Sequence, residues 1–382
     1  MKLMRLGQAA AVLSIAALGL AACGGSNNPG SDSSSAPAGS GAASSAAGSD
    51  SAAPAEVSGT LSGQGSSAQA SAVDAWTAGL AATQPGLQVQ YNPVGSGAGR
   101  KAFLAGQAAF AGSDAAASAD EIKQSQEVCG PDGAFNVPVY IDPVAVTFNV
   151  PGVKSLKLDG ETIAQIFTGK ITTWDDKAIA DQNPEAKLPS SKITPVHRAD
   201  DSGTTENFTD YLTAVAKDTW TAGAIQTWPK ELGGESAQKT SGVVKLIQST
   251  EGAIGYADLA AVGELGVASL KVGSEYQEPN ADAAAKNVAL AKPVDASGAD
   301  MALTLDRTST EAGQYPAVLV SYQIFCKTYK DQATADMVKA WGQYVVSEEG
   351  QKAAADAAGS APLVPEMSAE AGKLIDAITV AK

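Results

Sequence analysis

The segment His197-Arg198-Ala199-Asp200-Asp201-Ser202-Gly203-Thr204-Thr205 opens directly into an amphipathic stretch over 205–215, where Phe208, Leu212 and Val215 recur at helical spacing. A glycine- and hydroxyl-rich turn at a helix start has specific chemistry. The first-turn N–H groups lack intrahelical partners, and the helix dipole adds partial positive charge beside them. Glycine lets the backbone come close to a guest, and Ser or Thr hydroxyls add donors that rotate to suit it. Arg198, a few residues upstream, is suited to bidentate contacts with a tetrahedral oxyanion. Asp200 is placed to orient that guanidinium through a carboxylate pair. The plain alternatives are an ordinary N-cap and a surface ion pair.

Working outward, the same construction occurs twice more. Gly63-Gln64-Gly65-Ser66-Ser67 precedes a helical pattern over 70–82, and Gly95-Ser96-Gly97-Ala98-Gly99 separates a strand pattern over 88–91 from a helical one over 100–109. Further strands are expected over 137–140 and 144–150, rich in Val, Tyr and Phe. Further helices are expected over 162–167, 243–248 and 334–346. Alternating strands and helices predict an α/β fold with largely parallel pairing. There is no internal repeat.

The run Ala109-Phe110-Ala111-Gly112-Ser113-Asp114 ends on a carboxylate. In a pocket that attracts negative charge, Asp114 is costly unless the guest brings it a proton. Phosphate carries at least one hydroxyl at neutral pH, and fully ionised sulfate carries none. A carboxylate in that place accepts from HPO4 or H2PO4 and repels sulfate. The competing reading of Asp114 is a helix cap in a surface loop.

The N-terminus has a different character. Lys2 and Arg5 precede an apolar run over 9–22 that is short for a membrane span and ends in small residues, the pattern of a signal peptide over 1–22. Leu20-Ala21-Ala22-Cys23-Gly24 resembles a bacterial lipobox, which makes Cys23 the expected lipidation site. The alternative is an ordinary signal peptide with an incidental cysteine. The region 23–56 is then a lipid-anchored linker of Ser, Ala, Gly and Pro, too poor in apolar bulk to offset the entropy of ordering.

The remaining chain is long enough for two lobes with proper cores. Beyond Cys23 only Cys129 and Cys326 remain. In an exported protein they are expected to pair, the alternative being two unrelated buried thiols. With 41 Asp and Glu against 26 Lys and Arg, the basic footprint of a nucleic-acid binder is missing. The acidic balance does not exclude an anionic ligand, because local donors hold a small anion. One histidine, His197, and no Cys/His cluster argue against zinc.

Six stretches, in chain order, resemble the PstS-type phosphate-binding lipoproteins of the bacterial phosphate ABC transporter. They are Gly63-Gln64-Gly65-Ser66-Ser67-Ala68; Val94-Gly95-Ser96-Gly97-Ala98-Gly99; Gly112-Ser113-Asp114-Ala115; Phe167-Thr168-Gly169-Lys170-Ile171 with Thr173-Trp174-Asp175-Asp176; Arg198-Ala199-Asp200-Asp201-Ser202-Gly203-Thr204; and Gly252-Ala253-Ile254-Gly255-Tyr256. The resemblance covers essentially everything after the linker, and the arginine-containing stretch is its most specific element.

It implies a two-lobed periplasmic-binding-protein-like fold of type II with the ligand in the cleft. Lobe one would hold 57–142 plus 318–382 and lobe two 143–317, with crossings near 139–146 and 316–323. Cys129 and Cys326 then share lobe one, which favours their pairing. By position, the implied phosphate ligands are Ser67, Ala68, Ser96, Asp114, Arg198, Ser202, Gly203 and Thr204, with Asp200 holding Arg198. Two departures stand out. Ser67 and Ala68 occupy places where the family commonly has Thr and an aromatic residue, and the second loop lacks a serine that some members carry.

The implied protein is a monomeric solute-binding protein, not an enzyme, with no cofactor or metal. Lipid-anchored on the extracytoplasmic face of the cell membrane, it would bind phosphate, close its lobes as a hinge, and pass the ion to permease subunits of an ABC transporter. Three rivals remain. One is a receptor for another oxyanion such as sulfate, and another is an adhesive or sensory lipoprotein. The third is a phosphate-ester hydrolase using Ser202 or Ser96 with His197, although no G-x-S-x-G elbow is present.

Overall fold

The computed structural model describes residues 56–382, so the signal region, Cys23 and nearly all of the linker lie outside the described residues. Eleven strands form one connected sheet: β1 Gly59–Gly65, β2 Leu87–Asn92, β3 Phe110–Ser113, β4 Ala134–Phe148, β5 Ser155–Leu158, β6 Thr194–Arg198, β7 Glu235–Ala237, β8 Ala253–Asp258, β9 Gly266–Val272, β10 Glu275–Gln277 and β11 Val318–Cys326. The main order is β2-β1-β3-β11-β4-β8-β6-β7, with β9 joined to β4, β5 and β10.

The long strand β4 makes the fold two-lobed. Its residues 134–143 pair with β11, and from Val144 onward it pairs with β8. One strand therefore serves two halves of the sheet and changes partner between Pro143 and Val144. Every one of its residues is buried, as expected for a strand covered on both faces. The sequence reading split this strand in two at Ile141-Asp142-Pro143. Proline has no N–H to give to a ladder, yet Pro143 is tolerated where the partner changes.

The expectation of largely parallel pairing needs correction. β1 lies parallel to β2 and β3, and β6 parallel to β7 and β8. The crossing strands β4 and β11 instead run antiparallel to each other and to their neighbours β8 and β3. A chain that leaves one half and later returns must run back alongside its outward path.

Each half has its own aromatic centre. In the first, Trp341 packs against Trp76 at 6.0 Å and Phe110 at 5.6 Å. In the second, Phe208 stacks on Tyr256 at 4.3 Å and meets Phe167 edge-on at 4.9 Å. Each such side chain contributes roughly 1.5–3 kcal/mol by burial. Cys129 and Cys326 are joined as a disulfide with Cα atoms 4.9 Å apart, tying the helix Gln126–Cys129 to the end of β11.

Four helices bear on the cleft: α1 Ala70–Thr83, α2 Ser96–Leu104, α3 Gly203–Val215 and α4 Lys239–Ser249. α1 buries Ala72, Val73, Trp76 and Leu80, the stripe its periodicity predicts. α2 begins earlier and stops sooner than the expected 100–109, because Phe110 belongs to β3. Its glycines hide the helix from a propensity reading. Among the described residues, no helix is long and apolar enough to cross a membrane.

Candidate anion-binding site

The strands β1 and β3 in one half and β6 in the other run in opposite senses, so their ends point toward each other and the turns that follow them meet. Asp114 immediately follows β3 and is 2% exposed, which removes the surface-cap reading. Its Oδ2 accepts from Ser66 Oγ at 2.6 Å, Thr204 Oγ1 at 3.3 Å and, more weakly, Ser96 Oγ at 3.5 Å. Its Oδ1 accepts from Ser321 Oγ at 2.8 Å. Hydroxyls from β11 and from three helix-start turns, on both halves of the molecule, thus gather on one carboxylate. Burial pushes the Asp114 carboxyl up, against the hydrogen bonds from Ser66 and Ser321, the charge of Arg198 and the bond from Thr204.

Arg198 is 3% exposed, so its pair with Asp200 is not a surface ion pair. Nε donates to Asp200 Oδ1 at 2.9 Å and Nη2 to Oδ2, a two-point fork. Asp200 Oδ1 also accepts the backbone N–H of Lys239 at 2.9 Å, and the Arg198 N–H meets Tyr256 Oη at 3.3 Å.

Close approach explains two glycines. A Cβ on Gly203 would come within 2.8 Å of Ser96 Oγ and 2.9 Å of Asp114 Cβ. Gly95 has φ of +102°, and a Cβ there would meet Asp200 Oδ2 at 2.5 Å. Ser202 caps α3, its Oγ accepting from Thr205 N at 3.1 Å, which leaves the hydroxyl proton to donate elsewhere.

Ser96, Asp114, Gly203 and Thr204 therefore come together, with the Arg198–Asp200 pair on the adjoining turn. Ser67 and Ala68 are placed differently. Ser67 Oγ reaches across the cleft to accept the Thr240 N–H at 3.0 Å, and the Ala68 N–H donates to Ser66 Oγ at 3.0 Å. Ser66, one residue earlier than expected, is the first-loop side chain on Asp114.

Ser66, Asn207, Thr240 and Ser321 were not singled out in the sequence. Thr240 opens α4 within Thr240-Ser241-Gly242, a hydroxyl–glycine signal weaker than the other three. Ser321 sits inside an apolar strand with no local mark.

His197 bears on the hydrolase reading. Its ring stacks on Trp228 at 4.7 Å with Nδ1 2.9 Å from the Arg198 carbonyl. Burial lowers its pKa. The imidazole is engaged by the Trp228 ring and this carbonyl, with no hydrogen bond to the Ser96 or Ser202 hydroxyl. Among the described residues, no group of three or more His, Cys, Asp or Glu side chains is placed to hold a metal ion.

Comparison with known proteins gives a consistent picture. A family model described as a PBP superfamily domain matches residues 50–349. A protein named Phosphate-binding protein PstS 2, from Mycobacterium tuberculosis, is 35% identical over 99% of this chain and 100% of its own length. Among solved structures, the high-affinity periplasmic phosphate-binding protein PfluDING, bound with phosphate, superposes with a TM-score of 0.65 at 23% identity, covering 81% of this chain and 92% of that one. A phosphate-binding protein from Stenotrophomonas maltophilia gives a TM-score of 0.62 at 19% identity, covering 83% and 94%. At these identities the structures establish the likeness of fold.

Proposed function

The chain belongs to the PBP superfamily and, within it, to the PstS phosphate-binding proteins, and from that premise we propose that it captures inorganic phosphate in its cleft and hands it to the permease of a phosphate ABC transporter. The observation that carries the reading is Asp114: a buried carboxylate ringed by hydroxyls from both halves, beside a buried, forked arginine. Positive helix starts attract the anion. Asp114 selects one that still bears a proton.

Within this reading Ser96, Thr204 and Arg198 donate side-chain hydrogen bonds. Gly203 offers its N–H and Ser202 its spare hydroxyl proton, Asp200 holds the arginine, and Ala68 contributes through its turn, its N–H being given to Ser66 Oγ. Ser67 contributes through its turn, its hydroxyl being committed to Thr240.

The proposed lobes are 57–142 with 318–382, and 143–317, supported by the change of partner along β4 at Pro143. The reading is completed by a lipid anchor at Cys23, an extracytoplasmic location, a monomeric state and the absence of catalytic turnover.

Isothermal titration of the purified full-length chain with phosphate and with sulfate tests the site. The wild type is expected to bind phosphate strongly in preference to sulfate, and Asp114→Asn to lose that preference by about 100-fold. Equal discrimination by both proteins would remove the role given to Asp114. Absence of phosphate binding by the wild type would remove the function itself.

A further inference from the structure

Asn207, the fifth residue of α3, uses both the donor and the acceptor of its side-chain amide. Nδ2 donates to the Asp114 backbone carbonyl at 2.6 Å and to the Gly203 carbonyl, one helical turn back, at 3.0 Å. Oδ1 accepts from Arg307 Nη2 at 2.5 Å. Arg307 is a buried cation that takes no part in the phosphate site. Its Nε pairs with Asp210 at 2.9 Å, and its Nη1 donates to the carbonyls of Pro316, at 3.0 Å, and Val318. A continuous chain of hydrogen bonds thus runs from the start of β11, where the polypeptide returns to the first half, through Arg307 and Asn207 to the main chain of Asp114.

We infer that Asn207, oriented by Arg307, is a positioning residue for Asp114, and that this pair clasps the two halves of the sheet around bound anion and sets how long it stays. The inference rests on the phosphate-binding reading. Asp114 follows β3 in one half and α3 follows β6 in the other, so the Asn207–Asp114 bond exists only while the halves are together.

The halves also meet at Thr204 and Asp114, at Thr240 and Ser67, and through an exposed ion pair. Lys101 meets Asp201 at 2.6 Å, but the lysine is exposed and such a pair is screened by water and salt. Asn207 is buried, where a lost donor leaves the Asp114 carbonyl unpaired. The contact fixes the backbone of the acceptor without touching the ligand, so it should act on release rather than on encounter.

Two variants separate this role from a merely structural one. Asn207→Asp keeps an oxygen for Arg307 but replaces the donor facing the Asp114 carbonyl with an acceptor. Asn207→Leu, similar in size, removes both bonds. Stopped-flow phosphate binding by the full-length chain is expected to show release from both variants faster by roughly tenfold to a hundredfold, with association within about threefold of wild type. Hydrogen exchange of the phosphate-saturated chain should show the peptide covering 110–117 exchanging faster in Asn207→Asp than in wild type.

Wild-type release in Asn207→Asp, or unchanged exchange at 110–117, would overturn the inference. So would a loss confined to Asn207→Leu that tracks a fall in the melting temperature of the unliganded protein. If the wild type binds no phosphate, the functional reading fails and takes the clasp with it; if it binds phosphate and the variants leave release and exchange unchanged, the clasp alone fails.

Discussion

Two sets of buried carboxylates face the centre of this molecule, and they are dressed in opposite ways. Asp114 accepts from the hydroxyls of Ser66, Thr204 and Ser321. Asp142 and Asp258 lie where β4 changes partner, Asp258 opposite Val144 and Asp142 two residues before it. In each of these two, Oδ1 is buried with no hydrogen-bond partner. Burial raises all three carboxyls. For Asp142 the neighbouring charges of Asp258 and Asp114 raise it further, to well above the usual range. Asp258 is pushed up to about 6 by burial, opposed by Thr240 and reinforced by Asp114. The lesson is that burial does not assign a role to an acid; its donors do. Asp114 is supplied with donors that favour an acceptor, while each acid of the crossing pair keeps one buried oxygen without a donor, and the charge of Asp258 raises Asp142 further.

Removing Arg198 should disturb this contrast most. Its charge lowers both Asp114 and Asp258, and its loss also leaves the half-buried Asp200 without its cation. Arg198→Ala is expected to weaken phosphate binding by about 1,000-fold in calorimetry, in line with roughly 3–5 kcal/mol for breaking a buried pair. Because the Arg198 charge lowers the Asp114 carboxyl, its removal should also move the acid limb of the remaining phosphate binding to higher pH. An affinity within tenfold of wild type would mean that the guanidinium does not face the ligand.

The next effect has the opposite sign. The folded-state value of Asp258 lies above its ordinary 3.8, so the folded chain binds more protons than the unfolded one between those values. The stability associated with the protonated acid is complete below about 4 and is lost as the pH rises through about 6. Asp258→Asn removes that loss. Urea unfolding should show the variant more stable than wild type at pH 8, by up to about 3 kcal/mol, and equal to it near pH 4. A variant less stable at both pH values would show that Asp258 is held as a needed anion, like Asp114, and the contrast would collapse.

What the sequence disclosed about these regions follows from how local each feature is. The Arg198–Asp200 fork spans two residues, and the three helix starts are contiguous motifs, so both could be read directly. Asp114 was legible because a charge ends an apolar run. The phase within the first loop was not: Ser66 and Ser67 are adjacent and chemically equal, and only the fold turns one to Asp114 and the other to Thr240. Ser321 reaches the site from an apolar strand far away in the chain, and Asn207 sits one helical turn beyond Gly203, with nothing local to mark either. The unity of β4 was hidden by Asp142-Pro143, which ends strands elsewhere and here marks the change of partner.

The smallest effect tests whether the dressing of Asp114 is what separates it from the crossing pair. Ser321 is the donor on Oδ1, contributed by the returning strand β11. Ser321→Ala leaves Ser66 and Thr204 on Oδ2 and adds no bulk. Its bond lowers the Asp114 carboxyl, so without it the carboxyl should rise further and the acid limb of phosphate binding should move to higher pH. One hydrogen bond to a charged acceptor is worth about 1.5–3 kcal/mol, and hydroxyls already on the other oxygen should reduce the observed change to roughly a fivefold loss of affinity at pH 7. Titrating phosphate across pH 5 to 8 measures both quantities. If the profile of Ser321→Ala superimposes on that of wild type, the hydroxyl ring does not tune the acceptor, and Asp114 differs from Asp142 and Asp258 by position alone.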